Sequence, residues 1–304
     1  MQNRIAQSRW ALPVTALYAL LVSLAGGLAT DGLWLQFGML LVSTMMMVEL
    51  NNGNALIRIY SRMVSCSFLV MTTMSLFLFR SLEVDVVQIT FIAFLLLLLR
   101  AYQNQQATGW VFYAFISLGI SSIVFPHVLL FVPLLWILMA VNVQCFSPRT
   151  FLSSILGIIV PYWFVAAWLL YTNNLGLLSA HFLSIVQFQS PMLLAGVNIH
   201  QWLTFAFVFL MAIMGSIHFL AYSYKDSIRI RMIYEMFIVL DACCMVFALL
   251  QPQHFNDLLG MAIVVTAPIA GHFLALTQSR LSNITFMVLA AAALSITAFN
   301  LISR

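Results

Sequence analysis

The chain has 304 residues, of which 63% are hydrophobic and 7% charged, with a mean hydropathy of +1.06 and a formal net charge of +4. So little polar surface cannot cover a water-soluble globule, and the scattered basic residues form no patch that points to nucleic acid. The apolar runs are about 16 to 23 residues long, the length of helices crossing a core of roughly 30 Å and unlike the ten-residue alternation of a barrel strand. The fold class that follows is all-α, a polytopic transmembrane helical bundle.

The first residues, MQNRIAQSRWALPVTALYALLVSLAGGLAT, join two arginines to an apolar body. That body, about 19 residues, exceeds the usual h-region of a signal peptide and reads as an uncleaved first span. Further apolar runs predict spans at 33–49, 62–79, 84–100, 110–125, 127–143, 151–171, 200–222, 232–250, 257–277 and 283–301, which with 11–29 makes eleven, within a range of ten to twelve. Between the fifth and sixth, SSIVFPHVLL allows either a tight outer turn at Pro126 and His127 or one kinked helix.

Charge sets the orientation, because basic residues are retained on the cytoplasmic side of short loops. With the N-terminus inside, Arg4, Arg9, Arg58, Arg62, Arg100, Arg149, Lys225, Arg229, Arg231 and Arg280 fall inside, leaving Arg80 and Arg304 outside. Asp31, Glu83, Asp85 and Asp257 fall outside, and Asp241 lies within a span. The long outer loop 172–199 carries no charge, and its Leu175, Leu178, Phe182 and Val186 recur at helical spacing, which predicts a short amphipathic helix on the outer leaflet near 176–188. No soluble domain or internal repeat interrupts this single membrane domain.

The segment FRSLEVDVVQ, residues 79–88, places Glu83 and Asp85 beside Arg80 in a chain with only eight acidic residues. A polar turn that meets water explains it. So does half of an active site, if Asp31 in the first outer turn, ATDGLW, converges with the pair over one pocket. That layout resembles the C-type membrane glycosyltransferases, the superfamily of protein mannosyltransferases, oligosaccharyltransferases and lipid A aminoarabinose transferases, in which an acidic residue in the first outer loop precedes an acidic pair in the second. The likeness runs over about residues 10–171, through GWVFYAFISLGISSIVFPHVLLFVPLLWILM and FSPRTFLSSILGIIVPYWFVAAWLLY. It implies a glycosyltransferase-like core at 1–171, an outer loop with an interfacial helix at 172–199, and C-terminal helices at 200–304.

The resemblance further implies a polyprenyl-phosphate sugar donor used at the outer leaflet in cell-envelope glycan assembly. Asp31, Glu83 and Asp85 would be the catalytic carboxylates, Asp31 acting as base, while Arg80, His127 and His181 would meet the phosphate or head-group. In this sequence the first outer loop is only about four residues, far shorter than the family's, and no periplasmic acceptor-binding domain follows. The run LLLLLRAYQNQQATGWVFYAFISLGISSIVFPHVLLFVPLLWI also resembles a multi-pass inner-membrane family of Bacteroidetes bacteria without an assigned reaction.

Other residues support other readings. Asp241, in MFIVLDACCMVF, is an ionisable group inside a span and fits either a proton relay in a transporter or lipid flippase, or a hydrogen bond to a neighbouring helix. Arg58 and Arg62 form one basic edge, explained by retention inside or by an anionic lipid. No His or Cys spacing holds a metal, and the spacing of Asp31, Glu83 and Asp85 gives a divalent cation no support. Ala290 to Ala293 and Ser295 offer a small-residue face for a membrane protein partner, the mark of a non-catalytic subunit. Enzyme, transporter and scaffold therefore all stay open, with the lipid bilayer the one partner common to them.

Overall fold

In the computed structural model, which describes residues 2–188, 197–277 and 279–303, each of the eleven apolar runs carries a helix and no strand occurs among the described residues. After a short α1 (Gln2–Ala6) come α2 (Ala11–Ala25), α3 (Trp34–Asn54), α4 (Met63–Met74), α5 (Leu82–Leu98), α6 (Thr108–Val124) and α7 (Val132–Val141). Then follow α8 (Pro148–Tyr171), α9 (Gly176–Ser184), α10 (Ile199–Tyr222), α11 (Ile228–Leu250), α12 (Phe255–Leu276) and α13 (Arg280–Ile302).

Among the described residues six segments are long and apolar enough to cross a membrane: Leu82–Ala101, Pro148–Tyr171, Ile199–Lys225, Ile228–Leu250, Pro252–Leu276 and Arg280–Ile302. The remaining apolar helices are cut short or diluted by polar chemistry. α4 stops after 12 residues because the Ser75 hydroxyl donates to Met71 O at 2.8 Å and the chain then turns, Leu78 N donating to Ser75 O at 2.8 Å. α3 continues past its apolar run to Asn54, whose Nδ2 donates to Leu50 O at 3.1 Å, and Ala55 closes the helix at φ 50°. Between α6 and α7, Phe125 is extended and Pro126–Phe131 forms a 3-10 turn, so a break replaces the alternative of one kinked helix. The helix predicted near 176–188 is α9, which ends at Ser184; residues 189–196 of that loop lie outside the described residues.

Backbone contacts divide the chain into two compact units, Met1–Asp85 with Met192–Arg304, and Val86–Pro191. In the first, α12 is central: its apolar window is wholly buried, with α4, α10 and α11 packed around it, α2 and α3 against α4, and α13 against α4 and α10. Lipid tails are as apolar as leucine, so helices in a bilayer are joined by close packing and polar ties instead of by expulsion of water. Both are present. A Cβ on Gly271 would stand 2.8 Å from Val64 N, and one on Gly215 would stand 2.8 Å from Ile269 O, so α12 meets α4 and α10 backbone to backbone. Asn300 Nδ2 donates to Met74 O at 2.7 Å and to Thr204 Oγ1 at 3.0 Å, and Tyr18 shares a 2.6 Å hydrogen bond with Thr297.

In the second unit α6 and α8 form the main pair. A Cβ on Gly157 would meet Phe112 O at 2.6 Å, and one on Gly119 would meet Ile158 O at 3.0 Å. Ser147 caps α8 through a reciprocal pair, its amide donating to Thr150 Oγ1 at 2.8 Å and its hydroxyl accepting from Thr150 N at 3.3 Å, with Pro148 in the first turn. The Trp136 indole donates to Ser154 Oγ at 3.0 Å and ties α7 to α8.

Only 17% of the apolar window is buried in α8 and likewise in α13. Trp163, Phe164, Trp168, Leu281, Ile284 and Val288 are exposed there. Continuous apolar surface of this kind suits contact with lipid and is costly in water.

Candidate functional site

The acidic residues singled out in the sequence fall in unlike surroundings. Asp31 sits in the turn between α2 and α3, where Gly27 at φ 97° and Gly32 at φ 69° take left-handed conformations that a side chain would strain. Its Oδ2 accepts from Arg80 Nη2 at 2.6 Å and its Oδ1 from the Thr30 hydroxyl at 3.0 Å. Arg80 and Asp31 are 48% and 37% exposed, so water screens the pair. Two residues expected to act on a donor, one as base and one as phosphate ligand, are thus joined to each other.

Glu83 is exposed, and its charge is felt by Asp257 near the start of α12. Asp85, two residues on, is buried in the first turn of α5, and its Oδ2 accepts no hydrogen bond among the described residues. Asp31 and Glu83 thus meet solvent while Asp85 is buried, and no group of three His, Cys, Asp or Glu is arranged to hold a metal among the described residues.

His127 and His181 both lie in the second unit. His127 is buried in the 3-10 turn after α6, against the Phe125 ring at 5.4 Å. His181, on α9, has its Nε2 3.2 Å from the Tyr162 hydroxyl, which donates to Ser122 Oγ at 2.9 Å. Tyr162 also packs on Phe182 with ring centroids 5.1 Å apart. These contacts hold α9 on α8, although no residue of α9 is itself buried.

Asp241 lies between α11 and α12, buried, with its Oδ1 accepting from the Thr266 hydroxyl at 2.8 Å. α11 runs unbroken through it from Ile228 to Leu250.

Two cavities, both within the first unit, were not foreseen. An apolar groove of about 500 Å³ is walled by α2, α4, α10 and α13, through Val14, Val70, Met71, Phe207, Phe286 and Ala290, and Arg4, Ser8 and Trp10 line it beside the N-terminal turns. The packed cluster of Met211, Ala270, Phe273 and Leu289 backs it. Ala290 and Ala293, marked in the sequence as small enough for helix contact, leave room here for the groove.

The second cavity, about 450 Å³, lies where α10 passes into α11 and where α12 ends, lined by Arg58, His218, Tyr222, Lys225, Asp226, His272, Leu276, Thr277 and Ser279. Asp226 and His272 are buried and paired, Oδ2 to Nε2, at 3.1 Å, and Arg58 Nη1 lies 3.7 Å from Asp226 Oδ1. Aromatic rings wall His272, Tyr234 at 4.8 Å and Phe219 at 5.4 Å between centroids. Residues 58, 226 and 272 carry no shared motif; the only hint in the sequence was the basic edge formed by Arg58 and Arg62.

Compared with protein-family models, with curated proteins and with solved structures, the chain matches none.

Proposed function

We propose that this is a polytopic membrane protein of a bacterial inner membrane, crossing it eleven times with its N-terminus inside, and that it binds the apolar chain of an anionic lipid in the groove beside Arg4. The groove carries this reading. It falls within the range of about 300–1,000 Å³ of small-molecule sites, its walls are aliphatic and aromatic, and a guanidinium stands where a head-group phosphate would lie. A polyprenyl-phosphate lipid and an ordinary phospholipid both satisfy that chemistry.

The test is lipid retention. Native mass spectrometry of the purified protein is expected to show bound anionic lipid, and Ala290→Trp, which fills the groove from an exposed position, is expected to remove it. Absence of lipid from the wild type, or equal retention by the variant, would overturn the reading.

A second reading, lipid-linked glycosyl transfer at the outer leaflet, draws support from the buried Asp85 carboxyl, whose Oδ2 has no hydrogen-bond partner among the described residues, since a buried carboxyl left so is costly unless it serves a ligand. Asp31, Arg80, Glu83 and Asp85 do not line the apolar groove, so the donor would occupy a different surface. Asp85→Asn with cell-surface glycans unchanged at normal protein level would remove that reading. For Asp241, the Thr266 hydrogen bond and the unbroken helix favour a packing role over a carrier role.

A further inference from the structure

We propose that the polar cavity between α10, α11 and the end of α12 is a binding site for a phosphate group, either a soluble phosphomonoester or the phosphate of a lipid head-group. It goes beyond the lipid groove: Arg58, His218, Lys225, Asp226 and His272 line this cavity and none of them lines the other.

The donors are incompletely used. Arg58 Nη1 donates to Lys225 O at a long 3.4 Å and stands 3.7 Å from Asp226 Oδ1, beyond hydrogen-bond length, so the guanidinium fork keeps donors for a ligand. Lys225 is exposed at the rim, its ammonium over the rings of Tyr222 at 5.1 Å and Tyr224 at 5.5 Å, which steer it without neutralising it. Two cations against one carboxylate, already paired with an imidazole, leave the cavity positive.

Buried atoms ask for a partner as well. His272 is 1% exposed with its Nε2 toward Asp226, and its Nδ1 has no hydrogen-bond partner among the described residues. The same holds for His218 Nδ1 and Asp226 Oδ1, and the two imidazole rings stand 5.6 Å apart. A polar atom buried without a partner is costly unless a ligand or water completes it. A phosphate supplies the complement: oxygens for Arg58 and Lys225, and a hydroxyl hydrogen for Asp226 Oδ1 or for His272 Nδ1, which accepts when Nε2 donates to Asp226. A divalent cation is the weaker candidate, because Arg58 and Lys225 would repel it and no ligating trio exists among the described residues.

The test uses the full-length protein in maltoside micelles, which carry no phosphate, titrated calorimetrically with inorganic phosphate and glycerol 3-phosphate. In parallel, native mass spectrometry measures phosphatidic acid added to the same micelles. Saturable binding is expected, weakened about tenfold by Arg58→Gln and by Lys225→Gln, the loss of one charge-assisted hydrogen bond, and unchanged by Arg149→Gln, an exposed cation that lines neither cavity. Binding of the soluble probes identifies a free phosphate ester as the source; binding of phosphatidic acid alone, with the same dependence on Arg58 and Lys225, identifies a lipid head-group. Lys225 is exposed, so its variant decides the matter even if Arg58→Gln fails to fold. Binding of neither probe, or equal binding by wild type and Lys225→Gln, would overturn the proposal. Phosphate binding that survives Ala290→Trp separates this site from the groove.

Discussion

Gly271→Ala tests whether α12 is joined to α4 through their backbones. The added carbon would lie 2.8 Å from Val64 N, 2.9 Å from Val64 Cα and 3.1 Å from Met63 C, all main-chain atoms that no rotamer change can move aside. Non-bonded carbons rest about 3.5–4.0 Å apart, so the two helices must separate by roughly 0.7 Å, loosening the contacts of buried Cys66, Phe68 and Met71 along α4. Overpacking of this kind costs about 1–3 kcal/mol, offset in part by the gain of up to about 1 kcal/mol when alanine replaces glycine in a helix. The expected net loss is about 1–2 kcal/mol, read from unfolding in sodium dodecyl sulfate mixed micelles by tryptophan fluorescence. Gly38→Ala on α3 is the control: nothing lies within 4 Å of its Cβ, so the same change there should be neutral or mildly stabilising. Equal stability of Gly271→Ala and wild type, or an equal loss for Gly38→Ala, would refute the backbone contact.

Three further outcomes follow from single contacts. A double-mutant cycle of Asp31→Asn with Arg80→Gln should give a coupling of no more than about 1 kcal/mol, because the pair is half exposed; a much larger value would mean that the turn is shielded from water. Thr266→Val removes the donor to buried Asp241 and should cost about 1–3 kcal/mol in the same unfolding assay, whereas Asp241→Asn keeps the accepting oxygen and should cost less; the reverse order would contradict the packing role. Tyr162→Phe removes the hydroxyl that joins His181 to Ser122, so amide exchange in Gly176–Ser184 should quicken while α8 is unchanged; unaltered exchange would mean that ring stacking on Phe182 alone holds α9.

Much of the architecture was legible because hydropathy has a single dominant cause here. Each apolar run became a helix, and the pause at Pro126 became the break between α6 and α7, since the fixed φ of proline and its restriction of Phe125 act locally. Helix ends were less legible. α3 outran its apolar stretch on the strength of asparagine side-chain bonds, and α4 ended early at Ser75, where a hydroxyl competed for the backbone.

The candidate sites divided along the same line. The Asp31 turn and Arg80 were found from charge scarcity, and they do meet. That Arg80 would be taken up by Asp31, and that Asp85 would be buried while Glu83 is exposed, depends on which face of a helix start turns inward. The polar cavity was barely visible, hinted at by the basic edge of Arg58 and Arg62 alone, because Arg58, Asp226 and His272 come from a loop, the turn before α11 and the last part of α12 with no common spacing. The groove was half visible: the alanines of α13 signalled close approach, and the structure uses two of them to leave space.

The central claim, that a lipid chain occupies the groove between α2, α4, α10 and α13, is tested most directly by photo-crosslinking with a phospholipid bearing a diazirine in its acyl chain, followed by peptide mapping. The account predicts labels concentrated on Val14, Val70, Phe207 and Phe286, and their loss in Ala290→Trp. Labelling confined to the outward apolar faces, such as Trp163, Phe164, Ile284 and Val288, would contradict it and leave the groove without an occupant.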